Sequence, residues 1–212
     1  MQSFAEYAAK TESAVRLLFD GIASYSRLIP DYKPAIFVSP EIDESDFEVA
    51  YSDWRLKNAS ALAATTEAER KYLAESFALD TLCGAVFQVA GKAIEVYSDS
   101  TQVPSEWTNS ISPNTAKYCR GRLVRTVPLG LVIYAARNKH AHYNEGSLRP
   151  LSSAVFERLA TEHEYPKSEV RCDPAFDLTN PKIETYAHNV MTLIGWATYE
   201  IYASDLATLV DR

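Results

Sequence analysis

Residues 127–142 read VPLGLVIYAARNKHAH. The first ten carry no charged side chain, and Pro128 suits a first helical turn, where its missing N–H costs nothing. The spacing predicts a core-forming helix over about Thr126–Tyr143, with Arg137, Asn138, Lys139, His140 and His142 crowded at its end. An arginine has no cheap place on such a helix unless its charge meets a partner. Histidine is the side chain best suited to proton transfer near neutral pH. A polar cluster is therefore held against an apolar surface.

Working outward, the pattern stays helical. Glycine is scarce and no run alternates polar with apolar residues. A first helix is predicted over Ser3–Leu28, with Phe4, Tyr7, Thr11, Ala14, Leu18, Ile22 and Tyr25 on one face, stopping before Pro30. Asp31–Pro40 is a proline-bearing connection. The acidic run Glu41–Glu48 opens a short helix to about Lys57, its acids opposing the positive helix end. A long helix follows over about Thr66–Tyr97, with Leu73, Phe77, Leu82, Val86, Val89 and Ala93 as its core stripe. Ser98–Asn114 reads as a polar loop holding Trp107, Ser152–Thr161 as a shorter helix and Glu164–Pro181 as irregular. The last helix has Asn180 as N-cap and Pro181 at its first position, with Ile183, Tyr186, Val190, Leu193, Ala197, Ile201 and Leu206 inward. The expected fold is one all-α domain over residues 1–212 with a helical-bundle core.

At 212 residues the chain is long enough for one sizeable core. Hydrophobic content of 47% and charged content of 23% are those of an ordinary soluble globular protein. No apolar run is read as approaching the roughly 20 residues that span a bilayer, so no membrane partner is expected. MQSFAEYAAK has neither a basic leader nor a cleavage site. Cys83, Cys119 and Cys172 are odd in number and widely spaced, which argues for a reducing cytoplasm and against a disulfide framework or zinc ribbon. Of these, Cys119 beside Arg120 is the only mildly activated thiol candidate.

Net charge is −7, yet Lys117–Arg149 holds seven basic residues and one acid, a local +6 that leaves −13 on the rest. Such a zone suits one polyanion-binding face on an otherwise acidic protein. Arg120, Arg122 and Arg125, with Lys139 and His140, are its candidate RNA or phosphate contacts; the competing reading is that the arginines merely solvate a loop.

Asn138 and His142 are four apart and share a helix face. Arg137 and His142 are five apart, about 140° around the helix. They converge if the arginine reaches round, or if two copies of the helix meet across a dimer axis. The chemistry that wants this set is cleavage of RNA by its own 2′-hydroxyl. A histidine moves the proton, a guanidinium stabilises charge on the phosphorus and an asparagine orients the imidazole. No metal and no other cofactor is required. The competing reading is structural: Arg137 caps the helix end, and His140 and His142 are half-exposed residues of its last turn.

ARNKHAHYNE behind an apolar helix resembles the R-x(4–6)-H motif of the HEPN superfamily, where a polar residue typically follows the arginine. Arg137 matches the arginine, Asn138 the polar neighbour and His142 the histidine. The resemblance implies a HEPN-type helical bundle of about four to five core helices plus short additional ones. It further implies a metal-independent endoribonuclease acting as a homodimer, in a toxin–antitoxin or phage-defence setting, with RNA and an antitoxin or regulatory protein as partners. His142 would then be the general base or acid, Arg137 the phosphate clamp and Asn138 the orienter. The toxins paired with nucleotidyltransferase antitoxins carry a tyrosine two positions after the histidine; here Tyr143 follows directly and Asn144 holds the second position. Some HEPN domains are non-catalytic, so the alternative is a silent helical module that binds a nucleotide, nucleic acid or protein.

Other patterns are weaker. Gly84 and Gly91-Lys92 lack the spacing, the Ser/Thr and the preceding strand of a phosphate loop. His140 and His142 point about 200° apart on a helix, a poor zinc pair. His163 and His188 read as ordinary helix or loop residues. Tyr186, Tyr199 and Tyr202 read first as packing and second as a dimer surface.

Overall fold

The computed structural model describes residues 3–28, 37, 44–145, 147–164, 171–180, 183 and 185–210, without the side chains of residues 44, 45, 69, 72 and 73. The chain is an all-α helical bundle with almost no strand. Its helices are α1 (Phe4–Leu28), α2 (Glu44–Lys57), α3 (Ala59–Tyr97), α4 (Leu129–Ala141), α5 (Pro150–Thr161), α6 (Ala187–Leu193) and α7 (Tyr199–Val210). Two 3-10 turns, Ser105–Trp107 and Ala116–Tyr118, lie between α3 and α4. The expectation of one domain over 1–212 meets a chain that divides into two compact units, Met1–Ala23 with Leu79–Arg212, and Ser24–Ala78.

The larger unit is built around α4. Leu129, Leu131, Val132, Ile133 and Ala135 are all fully buried, and α5, α6 and the second 3-10 turn pack against this helix. A short helix with no polar face has to be enclosed, and its neighbours enclose it. From α3 come Leu79, Cys83, Val86, Phe87, Ala90, Ala93 and Ile94. From α1 come Tyr7, Val15, Phe19 and Ile22. Tyr7 also donates its hydroxyl to the Val89 carbonyl at 2.9 Å, and the Phe19 ring meets that of Tyr202. In the smaller unit, Phe47, Tyr51 and Trp54 of α2 surround Phe37, with ring centroids 5.3–5.6 Å from it.

Several expected boundaries move. α3 begins at Ala59, because Asn58 continues the chain helically: its carbonyl accepts the Leu62 N–H at 2.8 Å. The predicted stripe is displaced as well; Ala14 and Phe77 are exposed, the latter by 48%, while Val15 and Leu79 are buried. Pro128 precedes α4 as its N-cap, since Val127–Pro128 pairs antiparallel with Leu123–Val124. The predicted last helix is broken in two. Tyr186, not Asn180, stands at the N-cap position of α6, and Gly195 at φ +72° follows the end of that first piece; the buried Trp196 then donates its indole N–H to Asp205 at 2.8 Å. Trp107, expected in a polar loop, is buried beneath the Arg158 guanidinium.

One expectation about apolar runs is overturned. Ala74–Tyr97 is long and apolar enough, by length and composition, to cross a membrane. Half of that stretch is buried within the protein, so packing in the fold takes up much of its apolar surface. Residues 38–43, covering the start of the acidic run, and most of the Asp31–Pro40 connection lie outside the described residues, as do residues 165–170 of the irregular segment and Pro181.

Candidate functional site

The polar end of α4 lies along one stripe of α3. Gly84, Gln88, Gly91 and Glu95 recur at i, i+4, i+7 and i+11, which places them on a single helical face. The glycines make room. A Cβ at Gly84 would stand 2.3 Å from three atoms of the His140 ring, and one at Gly91 would stand 2.6 Å from Cδ of Arg137. Each missing methyl is a seat for a side chain of α4. These glycines, which lack the pattern of a phosphate loop, serve close approach.

Alternating with the glycines, the polar residues of the stripe bind Arg137. Its Nε donates to Oε1 of Gln88 at 3.2 Å, and the Gln88 amide returns a bond to the Arg137 carbonyl at 3.4 Å. Its Nη1 donates to Oε2 of Glu95 at 3.3 Å and to the Tyr118 hydroxyl at 3.1 Å. Tyr118 in turn donates to the Gly91 carbonyl at 3.0 Å. Burial pushes the Tyr118 phenol up to about 12, against the opposing pull of Arg137, so it stays a neutral donor. Nη2 of Arg137 has no partner among the described residues, and the side chain is 26% exposed. The arginine is thus oriented by two of its nitrogens and holds the third in reserve.

His142 is set differently. It is the C-cap of α4, its N–H bonded to the Asn138 carbonyl at 3.0 Å. Its Nδ1 lies 2.6 Å from Oε1 of Glu145, and its side chain is 39% exposed. In the tautomer that carries hydrogen on Nδ1, that N–H donates to the carboxylate and the ring is oriented with Nε2 turned away from it. The side chain that meets the His142 ring is that of Glu145 and not the expected Asn138, whose amide nitrogen is buried without a hydrogen-bond partner among the described residues. His140, expected as a phosphate contact, is half-buried on Gly84 with no partner for Nδ1 among the described residues, and burial lowers its pKa. Lys139 borders a surface cavity beside Glu145 and pairs with no carboxylate among the described residues.

The three loop arginines go to three separate carboxylates. Arg120 faces Asp99 at 3.9 Å; Arg122 grips Asp205, with 3.1 Å from Nη2, and also the Ile194 carbonyl. Arg125, at φ +55°, makes a 2.6 Å pair with the buried Asp173. The Lys117 ammonium donates to the Glu95 carbonyl. Much of the basic zone is therefore neutralised inside the fold, which the charge count along the chain could not reveal.

The remaining candidates resolve into packing. Burial pushes the Cys119 thiol up to about 11, the reverse of the activation expected there, and Cys83 is raised further still. Tyr186 and Tyr202 are core residues. Burial lowers the His188 pKa, and His163 is 6% exposed. No three His, Cys, Asp or Glu side chains gather as a metal-binding group among the described residues. Sequence reasoning missed Gln88, Glu95, Tyr118 and Glu145. The first two were signalled by their period, polar residues alternating with glycines along one face of an apolar helix.

No protein-family profile, no curated protein and no solved structure matches the chain.

Proposed function

We propose that this protein is a metal-independent endoribonuclease of the HEPN type. The observation that carries the reading is the His142–Glu145 pair: a part-exposed imidazole whose Nδ1 is held at 2.6 Å by a carboxylate, leaving Nε2 free. Nε2 takes the proton from an RNA 2′-hydroxyl, and the oxygen attacks the adjacent phosphorus. The P–O5′ bond breaks as the leaving oxygen gains a proton, giving a 2′,3′-cyclic phosphate and a 5′-hydroxyl. Glu145 stabilises the imidazolium that forms, and Nη2 of Arg137 donates to a non-bridging phosphate oxygen as charge gathers there. Pairing two chains about a two-fold would supply a second His142 to protonate the leaving group. RNA, a second copy of the chain and a regulatory protein such as an antitoxin are the partners this reading expects, in a toxin or phage-defence setting.

A second reading has its own support. Arg137 makes three side-chain hydrogen bonds within the fold, as a structural arginine would, which favours a catalytically silent HEPN-like module that binds a nucleotide, nucleic acid or protein. Mixed RNA incubated with the protein in excess EDTA separates the two. The enzyme reading expects cyclic-phosphate ends from the wild type and a loss of about 10²–10⁴-fold in His142→Ala, with a comparable loss in Arg137→Ala. Equal cleavage by all three proteins, or none by any, sinks it.

A further inference from the structure

Beside the His142–Glu145 pair lies a surface cavity of about 210 Å³, bordered by α4, the chain that follows it, α5 and the turn before α6. We propose that it binds one base of the RNA strand, making it the pocket that selects the nucleotide next to the cleaved bond. The inference rests on the ribonuclease reading for its ligand class and extends it from chemistry to sequence preference.

Size comes first. Pockets that enclose whole drug-sized ligands run to roughly 300–1,000 Å³. A cavity of 210 Å³ takes a fragment, such as one flat ring system whose chain continues outside. Its walls suit that shape. Leu148 and Leu178 are aliphatic, and the core residue Tyr186, 2% exposed, makes a rigid part of the lining, held by its 2.9 Å bond to the Asp177 carbonyl and by the Phe156 ring 4.6 Å away. Against them stand hydroxyls of Ser147 and Ser153, which can donate or accept at a base edge. Single-stranded RNA is read in this way, with bases splayed out against apolar or aromatic surface and bonded along their edges.

Position supplies the rest. Glu145 belongs to both places: one oxygen holds His142, and the residue lines the cavity. A base seated there carries its own phosphate toward the imidazole. Lys139 also lines the cavity and has no carboxylate partner among the described residues, so its ammonium is available to that phosphate. An aliphatic-walled cleft meant for a protein side chain has no comparable use for an unpaired lysine beside a proton-transfer pair.

The test uses the intact protein and four nucleoside 3′-monophosphates (adenosine, guanosine, cytidine and uridine), titrated calorimetrically. One or two bases should bind about tenfold or more tightly than the others, a discrimination within reach of a few buried polar contacts. Leu178→Trp, which fills the cavity from a half-exposed position, should abolish the preference, and Lys139→Ala should weaken all four alike. Ser147→Trp, from an exposed position, repeats the block should Leu178→Trp fold poorly. Equal binding of all four bases, or binding unchanged in both tryptophan variants, overturns the proposal. Binding is read without cleavage, so a base preference in a protein that cuts no RNA would retain the pocket and reject the nuclease. Cleavage without base preference, unaltered by either tryptophan, would do the reverse.

Discussion

Arg137 and His142 stand five residues apart, yet the parts of the chain that hold them differ in kind. Arg137 is secured from a distance: Gln88 is 49 residues away in sequence, Glu95 42 and Tyr118 19. His142 is secured by its own neighbour, Glu145, three residues on. One end of the motif is locked into the core and the other stands at the surface. For chemistry this division is useful. A phosphate clamp gains from preorganisation, because its donors need no rearrangement as charge develops. A base that shuttles protons has to meet both substrate and solvent. The division also predicts that damage at the two ends should look different, falling on stability as well as activity at Arg137 and on activity alone at His142.

Replacing the locked end should have the largest effect on stability. Arg137→Met keeps the stem over Gly91 and removes the charged hydrogen bonds, and should lower unfolding free energy by about 1–3 kcal/mol in urea titrations. A change below ~0.5 kcal/mol would mean that the contacts to Gln88 and Glu95 are incidental. The seat for His140 comes next. Gly84→Ala forces the ring away, at about 1–3 kcal/mol for overpacking, less about 1 kcal/mol gained in helix propensity. Gly84→Ala combined with His140→Ala should recover that loss, and failure to recover it would show that Gly84 serves something other than the ring.

The smallest effect on stability, and the most diagnostic for function, belongs to the free end. Glu145→Gln should change unfolding free energy by less than ~0.5 kcal/mol, because the pair is exposed. Its RNA cleavage rate should nevertheless fall, through loss of the fixed tautomer and of imidazolium stabilisation. A variant with wild-type cleavage would remove Glu145 from the site.

Protonation of the buried ring gives an independent check. The His140 pKa is lowered by burial, so the unfolded chain binds its proton first as pH falls. The stabilising contribution is full above the ordinary histidine value of about 6.5 and is lost progressively as pH falls from there through the depressed folded value. His140→Gln should therefore show a shallower loss of stability below about pH 6.5 than the wild type. Parallel profiles would indicate that burial of this ring does not control its charge.

Much of this was written in the order of residues. The apolar run 129–136 determined a buried helix, since no arrangement leaves such a surface wet at low cost. Helical periodicity placed α1, α3 and α5, and the cluster after Ala136 marked the polar end of α4. The broken C-terminal helix was partly legible in Gly195, but the placement of Trp196 against Asp205 was not. Residues 127–142 cannot say which carboxylate neutralises which arginine, because that pairing depends on where distant segments arrive. Only the tertiary structure assigned Arg122 to Asp205 and Arg125 to Asp173, and laid the Gly84–Glu95 stripe under Arg137 and His140. The sequence by itself determined most of the helices and the residue types clustered at the end of α4, which follow from local periodicity and side-chain chemistry. Tertiary structure decided which of those side chains are held and which are free, because burial and hydrogen-bond partners come from segments far apart in the chain.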